Sequence, residues 1–213
     1  VIPDRIEAGT FLIAAAATSS SITISPVIPS HLESVTNKLQ ESGSKIIIKG
    51  NSITINPRKL NSVNIKTAPF PGFPTDLQAP FTALMTIANG ESKITETIFE
   101  NRMNHINLLK KMGADIKLDK NVAYIKGVKT IKGMDLVASD LRSSAALIIA
   151  GIIAKGSSKI YGLEHLDRGY ENFESKLKIL GIKIARESNK RSFNKKECNI
   201  GQDSEEIQKC KAA

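Results

Sequence analysis

Leu39-Gln40-Glu41-Ser42-Gly43-Ser44-Lys45-Ile46 returns about every 66 to 70 residues, as Leu109-Lys110-Lys111-Met112-Gly113-Ala114-Asp115-Ile116 and as Leu177-Lys178-Ile179-Leu180-Gly181-Ile182-Lys183-Ile184. In each stretch Gly stands four residues after Leu, and Ile three residues after Gly. A glycine just past the last apolar helical position is the usual left-handed stop of a helix, and the β-branched runs Ile46-Ile47-Ile48 and Ile182-Lys183-Ile184 suit a sheet. Each stretch therefore predicts a helix ending on Gly43, Gly113 or Gly181, with a strand directly after it. A period of this length marks a repeated structural unit and decides the fold class ahead of local propensity.

A second kind of helix recurs between these stretches, at about 8 to 17, 76 to 88 and 140 to 154. It is apolar on most sides, which places it in the middle of a domain under covering sheets. The second and third copies end in near-identical text, Ile87-Ala88-Asn89-Gly90-Glu91-Ser92-Lys93-Ile94 and Ile153-Ala154-Lys155-Gly156-Ser157-Ser158-Lys159-Ile160. Three units, each with one buried helix, one amphipathic helix and several strands, predict an α/β fold about a pseudo-threefold axis, helices inside and sheets outside. The third unit is incomplete. After the first two glycines a strand, a turn and a returning strand follow, ending in Ser52-Ile53-Thr54-Ile55 and Val122-Ala123-Tyr124-Ile125, whereas Ile184 leads only into Ala185-Arg186-Glu187-Ser188. The missing strand is expected from elsewhere, and the opening Val1-Ile2-Pro3-Asp4-Arg5 reads as an internal cut of something longer. Residues 1–186 are expected to form the domain. Residues 187–213 are expected to be a polar, disordered tail with one weak helical turn near Glu205 to Lys209.

Composition narrows the function classes. With 41% hydrophobic and 24% charged residues over 213 positions, the chain is of ordinary globular type. No apolar run reaches the roughly 18 residues of a membrane span, and no signal peptide is visible. Cys198 and Cys210 have no close Cys or His partners, so a zinc site is not expected, and free thiols in a reducing cytoplasm are. The net charge of +9 admits nucleic acid, an anionic membrane surface or small anionic substrates. It does not come from the tail, where six Lys or Arg face five Asp or Glu from Glu187 onward. The lysines lack interleaved aromatics, which argues against a nucleic-acid platform. No glycine pattern matches a dinucleotide or triphosphate loop. His31, His105 and His165 have no triad or metal spacing and are expected at the surface or on helix faces. Leu32, Val35 and Leu39 read as core.

Two features carry chemistry. The first is Thr67-Ala68-Pro69-Phe70-Pro71-Gly72-Phe73-Pro74-Thr75-Asp76, whose three prolines stiffen a loop that delivers one carboxylate, Asp76, to the start of a long apolar helix. The competing reading makes Thr75 or Asp76 only an N-cap. The second is a set of arginines at strand–helix junctions, Arg5, Arg102, Arg142 and Arg168, expected toward one end of the domain. Guanidinium forks at helix starts suit carboxylate and phosphate, hence a pair of anionic substrates. The bland reading pairs each with its neighbouring acid, Asp4, Glu100, Asp140 or Asp167.

Together with Thr95-Glu96-Thr97-Ile98-Phe99-Glu100-Asn101-Arg102, Asp140-Leu141-Arg142-Ser143 and Asp167-Arg168-Gly169-Tyr170-Glu171, the proline-rich loop resembles the UDP-N-acetylglucosamine enolpyruvyl transferase family over Val1 to about Arg186. The resemblance implies a two-domain protein, each domain an inside-out α/β barrel of the EPSP synthase/enolpyruvyl transferase type, with substrates in the cleft between them. This chain would be most of one domain. The implied reaction moves the enolpyruvyl group of phosphoenolpyruvate to the 3′-hydroxyl of UDP-N-acetylglucosamine and releases phosphate. It belongs to cytoplasmic peptidoglycan synthesis, and so to cell-wall biogenesis, cell shape, cell cycle and division. No metal or cofactor is implied.

By the same resemblance Asp76 is the catalytic base and a sugar-nucleotide contact. Ile98 lines the sugar-nucleotide site, Arg142 and Arg168 hold phosphoenolpyruvate, Arg102 is a further cleft arginine, and Thr75 and Phe99 are further substrate-binding residues. The family's reactive cysteine matches neither Cys198 nor Cys210, so the chain alone is expected to be inactive, awaiting its partner domain. Phe70 and Met103 depart from the family's commoner residues and are not expected to touch the acid or the arginines. Two rivals are a non-catalytic binding remnant and an enzyme like 5-enolpyruvylshikimate-3-phosphate synthase.

Overall fold

The computed structural model describes residues 1–187 of the 213. Apart from Glu187, the expected tail lies outside the described residues, as do Cys198 and Cys210 and the helical turn near Glu205. In chain order the elements are α1 (Arg5–Ala17), β1 (Ile22–Ile24), α2 (Glu33–Glu41), β2 (Lys45–Lys49), β3 (Ser52–Asn56), β4 (Ile65–Lys66), α3 (Gln78–Met85) and β5 (Glu91–Thr95). Then come α4 (His105–Lys111), β6 (Asp115–Asp119), β7 (Val122–Lys126), β8 (Asp135–Val137), α5 (Leu141–Ile153), β9 (Lys159–Tyr161) and α6 (Phe173–Ile179). Single 3-10 turns run over Pro29–Leu32, Thr75–Leu77 and Leu166–Arg168.

The apolar helices are buried as expected. Every residue from Ala8 to Ala17 of α1, all of α3 and Ser143 to Ala150 of α5 are removed from solvent, and the three helices touch one another. Removing a Leu or Phe side chain from water is worth about 1.5–3 kcal/mol, so Leu12, Phe81 and Leu147 anchor the centre of the chain. The amphipathic helices lie over this layer by one face each: Val35 and Leu39 of α2, Ile106 and Leu109 of α4, Phe173 and Leu177 of α6. Leu32 is buried too, so the expected Leu32, Val35 and Leu39 stripe is core.

Three sheets complete the architecture. The first is antiparallel in the order β1-β3-β2, and the second runs β4-β5-β7-β6 with β4 and β5 parallel. The third, among the described residues, is the parallel pair β8-β9. The expected strand at Ile182-Lys183-Ile184 is absent; residues 182–187 have no regular structure. The reason is physical: Ile46 and Ile116 each pair with a returning strand, whereas among the described residues no strand pairs with Ile184.

All three helix-ending glycines have positive φ, +109° at Gly43, +96° at Gly113 and +89° at Gly181. At Gly43 the requirement is doubled, because a Cβ there would lie 2.3 Å from the Lys59 carbonyl oxygen. Gly9 serves a different end. A Cβ on it would fall 2.3 Å from Leu77 Cδ1, so its absence lets α1 pack directly against the turn that carries Asp76.

Candidate active site around Asp76

The proline-rich loop is closed on itself and tied down at several points. Ala68 N–H donates to the Phe73 carbonyl at 3.0 Å, Gly72 N–H to the Pro69 carbonyl at 2.8 Å, and the Ser34 hydroxyl to the Gly72 carbonyl at 3.1 Å. Phe73 packs edge-on against Phe81 of α3, ring centroids 5.3 Å apart. The loop enters the 3-10 turn Thr75–Leu77, which runs into α3.

Neither Thr75 nor Asp76 caps that turn: the cap position is Pro74, with no side-chain hydrogen bond. The N-cap reading therefore gives way. Asp76 Oδ1 instead accepts from Arg142 Nε at 2.6 Å and from Arg102 Nη1 at 3.0 Å. Asp76 remains partly open to solvent while both arginines are more covered. Two guanidinium groups on one carboxylate leave a net positive trio, a place suited to an incoming anion.

Each arginine is held by its own neighbourhood. Arg142 opens α5, whose N-cap Asp140 forms a capping box with Ser143. Burial works to raise the Asp140 pKa, but hydrogen bonds from Ser143, Ser139 and the Arg142 N–H outweigh it, and the carboxyl sits below its ordinary value. The Arg102 guanidinium lies 3.7 Å from the Phe99 ring centroid and also donates to Thr75 Oγ1 at 3.0 Å. Its pKa is lowered, first by burial and then by the like charge of Arg142, with Asp76 and Glu96 opposing. Next to the trio lies a polar cavity of about 220 Å³ lined by Gln78, Asn101, Arg102, His105, Asp140 and Arg142, among others. A larger depression of about 390 Å³ lies on the face of the second sheet, among Lys93, Lys117 and Tyr124, away from Asp76. The smaller one matters here because it adjoins the converging charges.

Of the four arginines, the structure brings two onto Asp76. Arg5 lies 4.9 Å from the Phe70 ring centroid, so Phe70 does touch one of them, against expectation: the loop tip bends back over the start of α1. Met103 is buried and accepts from Gln78 Nε2 at 3.2 Å. Arg168 is exposed at the end of its 3-10 turn and forms no ion pair among the described residues. It precedes Gly169, which packs on Leu141 beside Arg142. The bland pairing fails for each: Asp4 caps α1, Arg102 and Arg142 reach Asp76, and Asp167 pairs with Arg186. Ile98 is half-buried and Phe99 half-exposed.

Two groups were not singled out by sequence reasoning. His105, expected at the surface or on a helix face, lies on the buried face of α4, 2% exposed, with Nε2 unpartnered among the described residues. Burial lowers its pKa to about 4, against the raising influence of Asp140 and Glu96, so the ring is neutral. The signal was its register: His105, Leu109 and Met112 share the face that α4 turns to the core. Glu96, only 1% exposed, accepts from the hydroxyls of Thr67 and Thr75 and from the N–H groups of Ile98 and Phe99.

With fold and site in place, comparison with known proteins defines the class. The family model described as EPSP synthase (3-phosphoshikimate 1-carboxyvinyltransferase) matches residues 1–177, and the chain belongs to this family. A UDP-N-acetylglucosamine 1-carboxyvinyltransferase of Prochlorococcus marinus (strain MIT 9312) is 79% identical over all 213 residues, covering 47% of that protein. Another, from Prochlorococcus marinus subsp. pastoris, is 68% identical over 195 residues, 92% of this chain and 43% of that one. The chain thus spans about half the length of the curated relatives it matches. Among solved structures, the enolpyruvyl transferase NikO from Streptomyces tendae superposes with a TM-score of 0.76 at 26% identity, over 85% of this chain and 44% of that one. EPSP synthase from Acinetobacter baumannii gives 0.68 at 15% identity over 89% and 45%, a likeness of fold alone.

Proposed function

We propose that this chain supplies one half of the active site of an enzyme that transfers the enolpyruvyl group of phosphoenolpyruvate to the 3′-hydroxyl of UDP-N-acetylglucosamine, in the first committed step of peptidoglycan precursor synthesis. The observation that carries the reading is the Asp76 carboxylate, held by Arg102 and Arg142 at the end of a stiff loop. The names of the 79% and 68% identical relatives support the choice of acceptor. In this reading residues 1–186 are one domain, an inside-out barrel of three units about a pseudo-threefold axis, the third completed by a segment beyond this chain. Two complete helix–glycine–hairpin segments and three mutually packed buried helices support it. The partner domain, with the reactive cysteine, comes from the half of the relatives that this chain does not span. The site works in the cytoplasm, with no nucleic acid or membrane partner; no helix among the described residues is long and apolar enough to cross a membrane.

The geometry suggests how the half-site works. In the trio Asp76 accepts from both guanidinium groups. The carboxylate and phosphate of phosphoenolpyruvate draw Arg142 and Arg102 toward themselves, with Arg168 as a further cation, and so free Asp76 to accept a proton. As the 3′-hydroxyl gives its proton to Asp76, its oxygen bonds to C2 of phosphoenolpyruvate while C3 takes a proton from an acid of the partner domain. Loss of a C3 proton and cleavage of the bond from C2 to the phosphate oxygen then restore the double bond and release phosphate. Thr75, Ile98 and Phe99 flank the sugar nucleotide.

The test is complementation. The remaining half of the 79% identical relative is mixed with this chain, and phosphate release is followed with both substrates present. The reading expects turnover only from the mixture, lowered at least about 10²-fold by Asp76→Asn, the scale of a general base. Turnover with shikimate 3-phosphate in place of the sugar nucleotide, or undiminished turnover in the variant, contradicts it.

A further inference from the structure

The Glu96 carboxylate meets four groups, and all four are donors. Oε1 accepts from Thr67 Oγ1 at 2.9 Å, Ile98 N–H at 2.8 Å and Phe99 N–H at 3.2 Å; Oε2 accepts from Thr75 Oγ1 at 2.8 Å. Thr67 and Thr75 sit at the two ends of the proline-rich loop, and Ile98 and Phe99 form the turn beneath Arg102. One buried side chain therefore ties both ends of the loop that leads to Asp76 to the segment that carries Ile98 and Phe99. Its backbone is pinned as well, with Glu96 N–H donating to the Asn121 carbonyl at 2.9 Å.

The proton count on Thr75 gives this arrangement a direction. Its hydroxyl has one hydrogen, which goes to Glu96 Oε2, so toward Arg102 Nη1 at 3.0 Å it presents only lone pairs. Arg102 has no acceptor atom. The acceptor on the far side of Thr75 thus fixes the hydroxyl with a lone pair toward Arg102, and the same Nη1 that meets Thr75 also meets Asp76.

We propose that Glu96 is the positioning residue of this site: its carboxylate orients the Thr75 hydroxyl so that Thr75 can seat the Arg102 guanidinium on Asp76. The requirement is for charge type and not for size. A glutamine at 96 keeps the volume and its carbonyl oxygen at the Oε1 place, where two backbone N–H groups demand an acceptor. Its amide nitrogen then falls at the Oε2 place and donates to Thr75, so the Thr75 hydrogen loses the acceptor that fixes it and the hydroxyl is no longer held with a lone pair toward Arg102. The consequence for ligand binding rests on the sugar-nucleotide reading above; the seating of Arg102 does not.

Two measurements separate these levels. The first needs no ligand: nitrogen NMR of the Arg102 guanidinium in the 213-residue chain, comparing wild type, Glu96→Gln, Thr75→Val and the double variant. Hindered rotation with resolved Nη signals is expected in wild type, lost in either single variant and unchanged further in the double. Resolved Nη signals that persist in Glu96→Gln overturn the proposal. Should Glu96→Gln not fold, Thr75→Val alone decides, since retained Arg102 order in that variant overturns it equally. The second is a double-mutant cycle on UDP-N-acetylglucosamine affinity. Each single change is expected to weaken binding about tenfold and the double by little more, because both remove the same charged hydrogen bond. Additive losses would mean that Glu96 only supports the fold, and would also overturn it. If wild type fails to bind, the functional reading fails while the NMR result still judges Glu96.

Discussion

His105 shows how a single residue can report on the whole interior. A histidine that is neutral in the fold but titrates ordinarily when unfolded binds more protons in the unfolded state between its two pKa values. Its folded value, about 4, lies below the ordinary 6.5. Stability is therefore fully present above about pH 6.5 and declines as pH falls toward 4. The full effect is bounded at about 3 kcal/mol by the size of that shift. Urea denaturation between pH 4 and 7 is expected to give a sloping stability in wild type and a flatter one in His105→Leu. Parallel slopes would show that the ring is charged or exposed. The residue scale is also where sequence reading was least complete. Asp76 could be singled out because prolines advertise a stiff loop, and Arg102 and Arg142 because they stand at element junctions. Glu96 carried no such mark, since its four partners come together only when the 67–76 and 96–99 segments fold against each other. His105 was marked by its register with Leu109 and Met112, a signal outweighed by the usual habit of histidines at surfaces.

At the scale of elements, the glycine that ends each amphipathic helix was legible from spacing alone, but its cost of replacement was not. Gly113 and Gly43 both have positive φ, yet a Cβ meets nothing within 4 Å at Gly113 and the Lys59 carbonyl oxygen at 2.3 Å at Gly43. Gly113→Ala is expected to cost about 1 kcal/mol from backbone conformation, and Gly43→Ala clearly more, because backbone must also move. Equal denaturation midpoints for the two variants would refute this. Helix α5 offers a second check, since Asp140 accepts from the N–H groups of both Arg142 and Ser143. Asp140→Ala is expected to lower stability by about 1–2 kcal/mol, and Asp140→Asn by far less, as Asn caps nearly as well. Because the Asp140 carboxyl is held below its ordinary pKa, its charged contribution is present above that value and fades as acid protonates it. The missing third strand belongs to this scale too. Ile182-Lys183-Ile184 has the residues of a strand, but a strand needs a pairing partner, and β propensity cannot supply one.

Across the whole molecule, the repeat text foretold buried helices under sheets, and the three helices α1, α3 and α5 in mutual contact agree with it. The repeat placed Arg102 and Arg142 toward one end of the domain, but it did not foretell that both meet on Asp76: Asp76 leads into α3, Arg142 opens α5, and Arg102 precedes α4. Calorimetric titration of the chain with UDP-N-acetylglucosamine, with shikimate 3-phosphate as competitor and Asp76→Asn as control, reads whether the converged trio binds the sugar nucleotide. The account predicts weak saturable binding of the sugar nucleotide, unaffected by shikimate 3-phosphate and reduced about tenfold in the variant, which loses a charged partner. No binding by a folded chain, or equal binding by the variant, would contradict it.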